Sequence, residues 1–157
     1  MKNLKILLLL LFIWPGNAYP KTKHDLRQSW QEIVKYKFSD QDTLHLVEYY
    51  VDEMKLISAL SRTPLINKKV KSEIVMSFPS PEGKFISFEM YESPVLPKNL
   101  SENYPKIKTF TGRGLDNSND RVSVTLNNNY FKVLMLCSFG RIFINPIINK
   151  EGIYQVS

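Results

Sequence analysis

Apolar residues near the start of the chain are spaced as on one face of a helix. Five of them follow one another at intervals of four, three, one and four: Leu26, Trp30, Ile33, Val34 and Phe38. These intervals bring the five side chains onto a single helical face. Asp25 stands just before the run and is a residue type that caps helix N-termini. The pattern therefore predicts a helix over residues 25–38.

The next segment predicts one strand and one short helix. Residues 44–51 carry apolar and aromatic side chains on both alternating faces, as a strand does. Asp52 and Glu53 then place negative charge where it favours the positive end of a helix dipole. Pro64 cannot continue a helix. We therefore expect a helix that starts near Asp52 and ends before Pro64.

Beyond Lys68 the chain alternates between short strand patterns and turn residues. Seven strands are predicted, over residues 73–78, 85–91, 106–110, 121–126, 130–137, 141–145 and 153–156. The segments between them are rich in Pro, Gly, Asn and Ser, which favour turns and loops. Residues 112–120 are interpreted as one such loop. Short N-terminal helices followed by this meander predict an α+β fold with a mostly antiparallel sheet.

The first 18 residues have the three-part pattern of a cleaved secretion signal. Lys2 and Lys5 form a positive region, residues 6–14 are apolar throughout, and small residues precede the predicted cut between Ala18 and Tyr19. The apolar run is too short for a membrane-spanning helix, which needs about 20 residues. We therefore expect a secreted or periplasmic protein. The chain is divided accordingly into three parts: a signal peptide at 1–18, a polar leader and helix at 19–40, and an α+β domain at 41–157.

The charge of the mature chain argues against a nucleic-acid-binding surface. Removing Lys2 and Lys5 with the signal leaves 19 basic against 15 acidic residues, a net charge of +4. The basic residues are spread along the chain, whereas a nucleic-acid site needs them clustered. The one tight cluster, Lys68-Lys69-Lys71, is interpreted as a solvated turn. We expect neither a nucleic-acid partner nor a membrane partner after signal cleavage.

The residues that carry most enzyme chemistry are missing from this sequence. The only histidines are His24 and His45, there is no H-E-x-x-H motif, and no set of zinc ligands is marked out. Gly112-x-Gly114 lacks the third glycine and the following helix of a phosphate loop. No serine lies in the setting of a catalytic nucleophile. We expect a non-catalytic domain without metal or cofactor.

Two further features have both a chemical and a structural interpretation. Asp116 and Asp120 carry the oxygen ligands that calcium prefers, but the spacing of a calcium-binding loop is absent, so a solvated loop is favoured. Cys137 ends the apolar string VLMLC, so we expect a thiol buried in a central strand that is covered on both faces. A nucleophilic or zinc-capping role for this thiol is disfavoured for the same reason.

Three stretches are more distinctive than their composition. They are Phe88-Glu-Met-Tyr-Glu-Ser-Pro-Val-Leu96, Tyr104-Pro-Lys-Ile-Lys-Thr-Phe-Thr-Gly-Arg-Gly-Leu-Asp116 and Arg141-Ile-Phe-Ile-Asn-Pro146. Together they resemble the N-terminal region that precedes the catalytic domain in secreted reprolysin-like zinc metalloproteases of Bacteroidetes. The resemblance covers most of the mature chain and is strongest over residues 85–146. Asn145 departs from it, because Asp is more usual there.

The resemblance implies a pro-region that helps a protease domain to fold or covers its cleft. The family's zinc motif, H-E-x-x-H-x-x-G-x-x-H, is not in this sequence, so no catalytic residue is carried over and we expect a fragment or a truncated gene product. The implied partner is a cognate metalloprotease domain, in cis or in trans. The residues expected to contact it form two segments: Ser93, Pro94, Val95 and Leu96, and Gly112, Arg113, Gly114 and Asp116. The alternative is a self-sufficient secreted module that binds polysaccharide or a surface protein.

Overall fold

A computed structural model describes residues 26–37, 45–68, 70–128 and 130–157. Within these ranges the strands are β1 (Trp30–Lys37), β2 (His45–Val51), β3 (Val75–Pro79), β4 (Phe85–Glu92), β5 (Ile107–Gly114), β6 (Arg121–Asn127), β7 (Tyr130–Cys137), β8 (Gly140–Pro146) and β9 (Ile153–Val156). The helices are a 3-10 turn at Leu26–Ser29, α1 (Glu53–Leu60) and α2 (Lys98–Asn103). No helix in these ranges is long and apolar enough to cross a membrane.

The nine described strands form one antiparallel sheet in the order β1-β2-β9-β8-β7-β6-β5-β4-β3. Strands β3 to β9 follow one another as a meander, as the period-two pattern predicts. The hairpin of β1 and β2 joins the far side of β9, where Val47 pairs with Val156 and Tyr50 with Ile153. Helix α1 lies in the connection from β2, the strand next to edge strand β1, to β3, which is the opposite edge strand of the sheet.

The predicted α+β class is wrong, because the segment predicted as an N-terminal helix is mainly a strand. β1 pairs with β2 from Trp30 opposite Val51 to Lys37 opposite His45. The register shifts between Glu32 and Val34, so one extra residue interrupts the strict alternation of inward and outward side chains. Ile33 at this bulge is 48% exposed, so it does not join a buried apolar face as the helical spacing predicts. The described residues form a mostly antiparallel β-fold with short helices.

The sheet is curled, and Trp30 connects its two edges. Trp30 at the start of β1 is 6% exposed. Its ring lies 6.0 Å from that of Phe78 on β3, the opposite edge strand, in an edge-to-face contact. It also contacts Tyr49, Phe131 and Tyr154 at 6.1, 6.0 and 6.4 Å. One aromatic cluster therefore gathers strands from both edges and from the middle of the sheet around a single core.

Helix α1 covers part of this core. The Asp52 carboxylate accepts a hydrogen bond from the Lys55 N–H at 3.1 Å and so caps the helix, at the end where the sequence predicts acidic residues. The helix buries Leu56, Ala59 and Leu60. Glu53 in its first turn accepts a 2.5 Å hydrogen bond from the hydroxyl of Tyr154, a fully buried residue of β9. The helix is thus tied to the centre of the sheet.

Candidate partner-binding surface

The first predicted contact segment, Ser93 to Leu96, is fastened to the side of β5. The Ser93 N–H donates to the Thr109 carbonyl at 2.9 Å, and the Thr109 hydroxyl donates back to the Ser93 carbonyl at 2.5 Å. Pro94, Val95 and Leu96 then line a cleft of about 300 Å³. Val95 is 69% exposed. This segment is accessible, but the double link to Thr109 holds its beginning in place.

The second predicted segment is not wholly a loop, because β5 continues to Gly114. Gly112 and Gly114 are buried, and Arg113 between them points outward. A Cβ on Gly112 would stand 2.6 Å from both Met90 Sδ and Val122 Cγ1, which explains a glycine at this point of the strand. Of the four residues predicted here as partner contacts, Arg113 and Asp116 are exposed to solvent and the two glycines are buried.

Residues 115–120 form a compact loop organised by Asp120. Asp120 is buried, with an exposed fraction of 6%. Its carboxylate accepts hydrogen bonds from Asn117 Nδ2 at 3.0 Å and from the Ser138 N–H at 3.1 Å. Asp116 is exposed on the outside of the loop. These two hydrogen bonds satisfy the Asp120 carboxylate and fix the loop against the β7–β8 turn, which contains Ser138.

Strands β7 and β8 carry apolar side chains on the outer face of the sheet. Leu134 lies directly opposite Phe143, and Leu136 is the next outward residue of β7. Leu136 is 46% exposed and Phe143 44% exposed. The prediction that β7 is covered on both faces is therefore wrong, because only its inward residues are buried. Leu134, Leu136 and Phe143 are called the outer patch below.

Three arginines lie in one cross-strand row beside the outer patch. Arg113 on β5 pairs with Arg121 on β6, Arg121 pairs with Leu136, and Leu136 pairs with Arg141 on β8. Strands lie about 4.8 Å apart, so this arginine row extends over about 14 Å. All three side chains are exposed. The row was missed from the sequence because Arg113 was predicted in a loop, and Arg121 and Arg141 lie in two separate predicted strands.

The arginine row has no acidic partner among the described residues. Arg113 Nε donates to the Ser118 carbonyl at 3.0 Å, and Arg121 Nη1 donates to the Ser118 and Asp120 carbonyls at 2.5 and 2.9 Å. Within the described ranges, neither they nor Arg141 form an ion pair. The backbone carbonyls orient the first two arginines while leaving their full positive charge uncompensated.

A cavity of about 760 Å³ opens next to the outer patch, at the end of β7 and β8 nearest the β8–β9 turn. Lys132 and Asn145 line it. Lys132 is the outward residue before Leu134 on β7, and Asn145 is the outward residue after Phe143 on the antiparallel β8. The turn residues Ile147 and Ile148 add an apolar wall. The outer patch therefore continues into a concave region large enough to take a bulky side chain.

Cys137 was predicted to be buried, but it lies half-buried at the end of β7, next to the core. Burial, and secondly the charge of Asp120, raise the pKa of its thiol to about 11. Inward neighbours on its strand, Val133 and Met135, are buried as predicted. The setting disfavours the thiolate, which is the form that reacts with electrophiles and binds metal.

We therefore expect Cys137 to react slowly in the native protein. At pH 8 a thiol with so high a pKa holds little thiolate, so labelling with an aromatic disulfide reagent should be slower than in denaturant by on the order of a hundredfold. Stopped-flow absorbance with and without guanidinium measures both rates. Equal rates would show that the thiol is free to reach a partner.

Other predicted features stay predictions. Ala18 and Tyr19, the predicted cleavage site, lie outside the described residues. Within the ranges that the structure describes, no group of three or more His, Cys, Asp or Glu side chains is placed to hold a metal ion. Comparison of the chain with protein-family models, with curated proteins and with solved structures found no match. The role of this surface is therefore inferred from its own chemistry and from the three stretches defined above.

Proposed function

We propose that this chain is a non-catalytic, exported binding domain that acts as a pro-region for a secreted zinc metalloprotease. The observation that carries the binding role is the outer patch, where a leucine and a phenylalanine stay exposed on a sheet face beside three exposed arginines. Contiguous exposed apolar side chains mark surfaces that bind another molecule. Arginine and aromatic residues are enriched in protein–protein interfaces in particular.

The protease partner is proposed from the sequence resemblance, and it is supported by where the resembling stretches lie in the fold. The stretch that ends near Asp116 forms β5, and the stretch that starts at Arg141 forms most of β8. Arg113 from the first and Arg141 from the second lie in the same cross-strand row, together with Phe143 nearby. Two of the three stretches that carry the resemblance thus contribute to one outer surface, as a shared docking role requires.

Binding to a protease domain is the direct test of this proposal. The probe is the catalytic domain of a reprolysin-like metalloprotease from the organism that encodes this chain, with the glutamate of its H-E-x-x-H motif replaced by alanine. We expect the full mature chain to bind with a Kd of about 1 µM or tighter by calorimetry. It should also slow peptide cleavage by the unmodified enzyme.

The control is an unrelated zinc protease of similar size, which should not bind. Lack of binding to every reprolysin-like domain tested, at about 100 µM protein, would contradict the proposal. Retention on a polysaccharide in the same series of measurements would instead favour the self-sufficient binding module, for which exposed Phe143 and Phe139 offer aromatic surfaces.

A further inference from the structure

We infer that the arginine row and the outer patch together form the docking surface, and that the partner presents an acidic surface with apolar side chains at its centre. This inference rests on the proposed function and adds the location and chemistry of the contact. The row runs across four strands in the order Arg113, Arg121, Leu136 and Arg141, so that Leu136 lies between two of the arginines. A complementary partner therefore needs carboxylates about 5 to 14 Å apart, set around an apolar contact.

The charge distribution near the row favours an acidic partner. Glu89 lies opposite Arg113 on β4, but its carboxylate accepts the Tyr91 hydroxyl at 2.7 Å and makes no ion pair with Arg113 within the described residues. Asp120 is buried and satisfied by Asn117 and Ser138. Both carboxylates keep their negative charge, but neither forms an ion pair with an arginine of the row within the described residues. The guanidinium of Arg141 in particular stays open to the carboxylates of another molecule, which pair with guanidinium in two-pronged geometry.

A second copy of this chain does not fit the same surface. In a twofold dimer each patch meets itself, so arginine rows from both copies would come together. Like charges placed opposite one another are destabilising. An acidic polysaccharide also fits less well, because the patch has two leucines, whereas sugars are bound by stacking on aromatic faces. A protein partner uses both the leucines and the arginines.

The test compares Arg141→Glu with Arg62→Glu in the same calorimetric assay. The Arg141 side chain makes no hydrogen bond to the described part of the chain, so its charge can be reversed without disturbing the loop that Arg113 and Arg121 hold. Arg62 follows α1, away from the outer face, and gives the same change in net charge. We expect Arg141→Glu to weaken binding to the metalloprotease domain at least about tenfold and Arg62→Glu to leave it within about twofold. Phe143→Ser should also weaken it by about tenfold.

Salt provides an independent measurement of the same contact. Raising NaCl from about 50 to about 500 mM should weaken wild-type binding by about tenfold, and the Arg141→Glu variant should respond less, because one attractive pair is already gone. Circular dichroism spectra and melting curves identify any variant that has not folded. If the wild type binds and Arg141→Glu and Phe143→Ser bind equally well, this docking surface is wrong while the proposed function stands. If the wild type binds no protease domain, the proposed function fails, and the inference fails with it.

Discussion

Replacing Trp30 by alanine should lower the free energy of unfolding by about 4 kcal/mol. The indole is buried and makes edge-to-face contacts with four rings, on β2, β3, β7 and β9. Removing the indole leaves a cavity where the two edges of the curled sheet meet. The four surrounding rings belong to different strands that are packed in the core, so they cannot move inward to fill it. Urea unfolding of the mature chain, followed by circular dichroism, measures the change.

Two further variants separate the packing of Trp30 from its chemistry. Phe139 is 63% exposed in the β7–β8 turn, so Phe139→Ala should cost less than about 0.5 kcal/mol. Trp30→Phe should cost less than half as much as Trp30→Ala. It keeps a ring in the cluster and removes an indole N–H that is buried without a hydrogen-bond partner among the described residues. A loss for Trp30→Ala no greater than that for Phe139→Ala would contradict the role of Trp30 in joining the edges.

Replacing Gly114 by alanine should lower the free energy of unfolding by about 2 to 3 kcal/mol. A Cβ at this position overlaps the backbone carbonyl of Asn117 and stands 2.9 Å from Asp120 Cβ. The neighbours are backbone and a buried side chain, so they cannot rotate away. The loop must shift instead, and the hydrogen bond from the Gly114 N–H to the Asp120 carbonyl, 3.0 Å long, would weaken.

The matched control for Gly114 is Ser123→Ala on the neighbouring strand. Ser123 is exposed on the outer face of β6, so the change should stay within about 0.5 kcal/mol. Thermal and urea unfolding of both variants give the comparison. A Gly114→Ala protein as stable as Ser123→Ala would mean that the 115–120 loop moves freely and does not hold Arg113 and Arg121 in position.

The strands of the meander were predictable because their local sequence agrees with their place in the fold. β6, for example, alternates exposed and buried residues from Arg121 to Asn127, and its pattern of period two shows this directly. β1 was not predictable in the same way. Its bulge near Ile33 shifts the register, and the strand is specified by its pairing with β2 and by the distant rings around Trp30, neither of which a local pattern contains.

The candidate surface was predictable only in fragments. Arg113 and the 93–96 segment were selected from the sequence, whereas Arg121, Arg141 and the outer patch were not. Sequence spacing cannot show that residues on β5, β6, β7 and β8 share one row, because the row depends on the registers of three successive hairpins. Leu134 and Leu136 were expected to be covered, since an apolar residue on a strand is usually buried. Only the structure shows that nothing in the described chain covers Leu136.

The position of β9 between β2 and β8 has a consequence for how the chain folds. The β1–β2 hairpin joins the described sheet only through β9, so it cannot join the sheet before β9, near the end of the given sequence, is in place. The bond between Tyr154 and Glu53 joins residues 101 positions apart. Contacts so distant in sequence close slowly, because the long intervening chain must first lose its conformational freedom.

The meander from β3 to β8 can form early from local hairpins. Until β9 is in place, the β1–β2 hairpin and α1 are not joined to the rest of the sheet, and during this interval the apolar side chains of the unfinished core are accessible to other molecules.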